Sequence, residues 1–143
     1  EIRLSLVGSE MCIRDRDKED NGYFSRILCV QDLSAVTAAC LMVRKSVYDE
    51  VKGLDEDYRV AFNDIDFCLK VRKAGYLVVY NPYAQFYHYE SKSRGLEDSA
   101  DKVARFQQEI ALFGSHWEDI LEHGDPYYNP NLTLDKADFS LKE

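Results

Sequence analysis

Apolar and polar positions along this chain switch between a period near two and a period near 3.6, and the switch points delimit the elements. Residues 35–43 form a small, almost uninterrupted apolar run, which predicts a strand covered on both faces. Ser46 then reads as the cap of a short helix through Val51, stopped by Gly53, and residues 54–62 read as an acidic, aromatic loop. From a cap at Asn63 or Asp64, the apolar positions Ile65, Cys68, Leu69 and Val71 build one broad helical face. Arg72 and Lys73 fall in its last turn, where cations suit the helix dipole, and Gly75 ends it. Residues 76–80 are strongly β-prone and stop at Asn81-Pro82. Strict alternation over residues 84–89 places Ala84, Phe86 and His88 on one face of a strand and Gln85, Tyr87 and Tyr89 on the other.

Further on, residues 99–113 predict an amphipathic helix with Val103, Phe106, Ile110 and Phe113 inward. Ser115 and Glu118 read as a capping box for a second helix closed by Gly124, and residues 125–131 as an extended aromatic tail. Strand, helix, strand, strand and then helices indicate part of an α/β domain.

Length and composition narrow this picture. At 143 residues and 45% apolar, the chain has material for one modest core and not two. Its first sixteen residues stand apart. Residues 6–16 resemble one reading frame of a transposase-based sequencing adapter, and residues 1–5 fit the index region before it, so residues 1–16 are set outside the fold. The chain proper is expected to begin near Asp17, with a preceding native portion missing. The partial domain then spans residues 17–124 and the tail residues 125–143. Net charge is −8 with or without those sixteen residues, because Glu1, Glu10 and Asp15 balance Arg3, Arg14 and Arg16. That sign disfavours nucleic acid as a partner. A phosphorylated ligand would need a metal or a local cationic patch.

Cys12 belongs to the adapter-like segment. Cys29, Cys40 and Cys68 show no metal-binding spacing, which predicts buried free thiols in a reducing compartment. No run of eighteen apolar residues exists to span a bilayer.

The candidate chemistry is concentrated in two stretches. Asp64, in the first turn of a helix after a loop, can project into a cleft and accept a proton from a sugar hydroxyl. The same position suits a helix cap, supplied by Asp64 or Asn63, and spacing alone favours the cap. Asp66 fits dipole compensation. His88, at a strand end, can ligate Mn or Mg beside carboxylates, or simply be a satisfied, partly buried histidine. Ser91, Lys92, Ser93 and Arg94 offer hydroxyls and cations suited to a diphosphate, or form an ordinary solvated loop. His116 and His123 read as surface residues.

The order of these stretches carries a resemblance. Residues 34–44, then Gly53-Leu54-Asp55-Glu56, Asn63-Asp64-Ile65-Asp66-Phe67-Cys68-Leu69, Gly75-Tyr76 and Tyr87-His88-Tyr89-Glu90-Ser91 together resemble the C-terminal half of family 2 glycosyltransferases. Bacterial rhamnosyltransferase-like and polysaccharide-assembly members are most alike, and residues 124–132 are familiar from the same group. The resemblance implies the C-terminal portion of a GT-A fold, a mixed sheet with flanking helices, lacking its nucleotide-binding half and its Asp-x-Asp metal motif. It implies inverting transfer from a nucleotide-diphosphate sugar to a glycan or lipid-linked acceptor. Asp64 would be the catalytic base, with Asn63 standing where the family has Glu. His88 would help hold a divalent metal (Mn or Mg) or the donor diphosphate, Ser91 and Arg94 would lie on the donor-side loop, and Asn63 and Asp66 would support. The implied location is cytoplasmic, or peripheral at the inner face of a bacterial membrane. As written, the fragment is expected to be inactive. A competing reading makes the chain a non-catalytic carbohydrate-binding or scaffold domain in which Asp64 only caps a helix.

Overall fold

A computed structural model describes residues 21–84, 100–135 and 139–142. Four helices carry the architecture: α1 (Lys45–Glu50), α2 (Asn63–Lys73), α3 (Ala100–His116) and α4 (Glu118–His123). Two short strands, β1 (Gln31–Asp32) and β2 (Val79–Tyr80), pair antiparallel with Gln31 opposite Tyr80. Turns of 3-10 helix occupy Tyr23–Leu28 and Ala38–Cys40. This is a mixed helical fold with a small sheet, compatible with the α/β class. The sheet among the described residues is an antiparallel pair, and of the strand expected at residues 84–89 all but Ala84 lies outside them.

Helix α2 is the centre of the molecule. Asp66, Phe67, Cys68, Leu69 and Val71 are all buried, so the helix is covered on nearly every side. One cluster joins Phe67, Cys68 and Val71 to Ala35, Val47 and Val78. A second joins Leu69 to Tyr58, Phe113 and Trp117. Ile65 packs against both. The helix ends as its sequence predicts: Gly75 takes φ 89°, its amide donates to Arg72 O at 2.9 Å, and Tyr76 N donates to Val71 O at 3.2 Å. That pair of bonds is the Schellman closure, which needs a residue free to turn left-handed.

Several expectations change. Residues 35–43 form no strand; the backbone there turns through Ala38–Cys40, leaving Ala38, Ala39 and Cys40 exposed and Met42 99% exposed. Its amides are claimed by side chains, with Ala39 N donating to Thr37 Oγ1 and Ala38 N to Asp64 Oδ2. Polar partners of this kind compete with strand pairing. Ser46 lies inside α1, which begins after Arg44 without a side-chain cap. The strand at residues 76–80 shrinks to β2. In α3 the inward residues are Glu109 and Phe113, while Val103, Phe106 and Ile110 are exposed. Ser115 donates to Leu112 O, and Trp117, not Ser115, precedes α4. Gly124 closes α4 as expected, its N donating to Ile120 O at 2.9 Å. Among the described cysteines only Cys68 is buried, since Cys29 and Cys40 are exposed.

The chain after α4 is tied back to the body. Ser34 Oγ accepts from Arg72 Nη1 at 2.8 Å and donates to Asp125 Oδ1 at 2.5 Å. The Arg72 guanidinium lies 5.2 Å from the Tyr127 ring centre. Leu132 bridges Leu141, and Tyr23 stacks on Phe139 at 4.8 Å.

Candidate functional site

The loop before α2 is shaped by Glu109. This buried carboxylate, 3% exposed, accepts from Arg59 N at 3.0 Å, Val60 N at 3.2 Å and Ala61 N at 2.8 Å. Phe62 follows in the left-handed region at φ 65° and ψ −6°, a conformation that disfavours a bulky side chain. Its ring stacks on Phe106 at 5.8 Å and Phe113 at 5.0 Å, and its carbonyl takes the Asp66 amide at 2.8 Å. The helix starts immediately after, with Asn63 half-buried as its first residue.

Asp64 and Asp66 part company here, because residues two apart on a helix face different ways. Asp64 is half-buried; its Oδ1 accepts from Ile65 N at 2.9 Å and its Oδ2 from Ala38 N at 3.1 Å. Neither Asn63 nor Asp64 is the residue preceding the helix, a place held by Phe62 without a side-chain bond. The carboxylate of Asp64 instead joins α2 to the turn at Ala38–Cys40. Two backbone donors leave it further lone pairs for a third.

Asp66 turns the other way and is 2% exposed. Trp117 Nε1 donates to its Oδ1 at 2.9 Å. Its Oδ2 receives no well-aligned hydrogen bond, yet the Lys70 ammonium lies 3.0 Å away. The ion pair is what accompanies that oxygen. Nearby, the Tyr58 hydroxyl meets His116 Nδ1 at 3.2 Å. Burial, then the charges of Asp66, Asp55 and Asp57, push the Tyr58 phenol up to about 12. Burial likewise raises the Cys68 thiol to about 11, opposed by its hydrogen bond with Val36 and aided by Asp64.

Asp55, Asp66 and His116 each present a ligand atom, all within 4.8 Å of one another. Two carboxylates and an imidazole form a donor set that a divalent cation can use. These three residues are also engaged otherwise: Asp55 Oδ1 accepts from Asp57 N, Lys70 and Trp117 hold Asp66, and Tyr58 meets His116.

His88, Ser91 and Arg94 lie outside the described residues, so the placement of that stretch beside Asp64 stays an expectation. Glu109 and the Tyr58–His116 contact were missed by sequence reasoning. An acidic residue at an inward helical position flanked by Phe106, Ile110 and Phe113 was the available signal for Glu109. His116 is exposed, as expected of a surface residue, and only its contact with Tyr58, 58 positions away, was not legible.

Comparison with known proteins agrees with part of this reading. No family profile matches the chain, and no solved structure matches it. An uncharacterised protein of Sinorhizobium fredii, y4gI, is 50% identical over 124 residues, 86% of this chain and 14% of that protein. The O-antigen biosynthesis protein RfbC of Myxococcus xanthus is 32% identical over 108 residues, 76% of this chain and 8% of its own length. The N-acetylglucosaminyl-diphospho-decaprenol L-rhamnosyltransferase of Mycobacterium tuberculosis is 35% identical over 78 residues, 54% of this chain and 25% of its own. The chain therefore spans a quarter or less of each of these relatives. Among the described residues no helix is long and apolar enough to cross a membrane. The relationship is to glycosyltransferase-like proteins, two of them named for rhamnosyl transfer and O-antigen biosynthesis.

Proposed function

We propose that this chain is the acceptor-side part of an inverting, metal-dependent glycosyltransferase of family 2 with a GT-A fold, acting in cell-surface polysaccharide synthesis. The observation that carries the reading is the relationship to the rhamnosyltransferase and the O-antigen protein over half to three-quarters of the chain. Asp64 is the base: its carboxylate, oriented by Ile65 N and Ala38 N, takes the proton of an acceptor hydroxyl as that oxygen attacks the donor sugar. Fixing the carboxylate by backbone donors keeps it in one geometry without a further side chain. The donor is a nucleotide-diphosphate sugar and the acceptor a glycan or lipid-linked glycan.

When bound, a divalent Mn or Mg ion offsets charge on the departing diphosphate. His88 would help hold it on the donor side with Ser91 and Arg94, while Asp55, Asp66 and His116 are the described residues whose donor set fits such an ion. Titrating the chain with Mn separates these: His88→Ala weakens binding in the first case, His116→Ala in the second.

The test of the base is Asp64→Asn in the longer protein that contains this chain. Transfer is expected to fall about 100-fold or more, the scale of a lost general base, with the melting temperature within a few degrees. The chain by itself is expected to give no turnover, and measurable transfer by it overturns that part of the proposal. One observation favours the second reading, a non-catalytic carbohydrate-binding or scaffold module: both oxygens of Asp64 already serve backbone amides. Unchanged transfer by Asp64→Asn would select it.

A further inference from the structure

Three successive amides, Arg59 N, Val60 N and Ala61 N, converge on the carboxylate of Glu109, about fifty positions along the chain. Consecutive backbone N–H groups aimed at one point are an arrangement that holds anions. Here the anion is the chain's own, carried in on α3 and 3% exposed. The next residue, Phe62, adopts a left-handed backbone that nothing in its own side chain favours, and strain of this kind persists only where surroundings impose it. Two things impose it: the amides locked by Glu109 on one side, and the stack of Phe62 between Phe106 and Phe113 on the other. Both come from α3. Phe62 is the residue from which the chain enters α2 at Asn63, and one residue further on the Asp64 Oδ2 accepts from Ala38 N at 3.1 Å.

We propose that Glu109 is a positioning residue for the candidate base: by clamping residues 59–61 it fixes the left-handed turn at Phe62 and thereby the orientation of the Asp64 carboxylate. The inference rests on Asp64 being the base for its functional meaning, though not for its geometry. A neutral Gln at this position cannot replace the carboxylate. Its Oε1 accepts while its NH2 donates, so an amide among residues 59–61 would face a donor. Arg105, whose Nε lies 3.9 Å from Glu109 Oε1, supplies a weak electrostatic complement to the ionised form.

The test is Glu109→Gln in the full chain, read by NMR. The amides of residues 59–61 should exchange at least about tenfold faster, a shift of roughly 1.4 kcal/mol in local opening. The Ala38 and Ile65 amide signals should also move, although both amides donate to Asp64 and not to Glu109. Leu132→Ala, a buried position in the tail, serves as the destabilised control and should leave the Ala38 and Ile65 signals in place. If Glu109→Gln lowers only the melting temperature and those two signals stay put, Glu109 is structural and the proposal fails. That outcome is separate from failure of the transferase reading, which Asp64→Asn decides in the longer protein.

Discussion

Asp66 and Trp117 meet through a single hydrogen bond of 2.9 Å across fifty-one positions of sequence. A charged acceptor that is buried loses more with its donor than an exposed one would, because no water replaces it. Trp117→Phe keeps most of the ring's packing and removes that donor, and should lower stability by about 1.5–3 kcal/mol in a denaturant titration. The phenol of Tyr58 gives a second residue-level expectation. Its ordinary value of 10.0 rises to about 12 in the fold, and that of Cys68 from 9.0 to about 11. Up to about pH 8 both states keep these protons. At higher pH the unfolded chain releases them first, so stability is lost as pH climbs toward 12. Melting temperature should therefore fall across that range, and Tyr58→Phe should lessen the fall between pH 10 and 11, where Cys68 still contributes, and remove the part from pH 11 to 12. Asp64 and Asp66 were both legible as acids at a helix start, but their opposite fates were not. What separates them is contact with Trp117 on one side and Ala38 on the other, and neither is visible at short range.

At the scale of elements, helices read well and strands poorly, for one physical reason. The bounds of α2 rest on local chemistry: apolar spacing at 65, 68, 69 and 71, cations in the last turn and a glycine after it. The run at 35–43 was apolar enough for a strand, yet pairing depends on a neighbour, and its amides found Thr37 and Asp64 instead. Two glycines show how the same residue acts oppositely in two settings. Neither would bring an added methyl within 4 Å of its surroundings. Gly75 sits at φ 89°, so Gly75→Ala should destabilise by about 1–2 kcal/mol. Gly114 lies within α3, where Gly114→Ala should stabilise by about 0.5–1 kcal/mol through the entropy of the unfolded chain. Calorimetry on the two variants checks both signs.

For the whole molecule, the α/β class was legible only in its coarse form. The described chain is mainly helical, with one antiparallel pair of strands, and it matches a quarter or less of the length of each relative. Asp64 was named as a candidate base through the resemblance, spacing alone favouring a cap, and its bond to Ala38 N, 26 positions away, was not legible. Ser34, Arg72, Asp125 and Tyr127 knit the tail to the body through contacts that no window of sequence contains. Ile65, packed against both apolar clusters, has a consequence for how the protein comes apart. With one side chain common to the two cores, heating should release them together as a single sharp event. Shaving that side chain back to alanine should let the Trp117 side loosen at a different temperature from the Val47 side, visible as tryptophan fluorescence and far-ultraviolet dichroism ceasing to coincide.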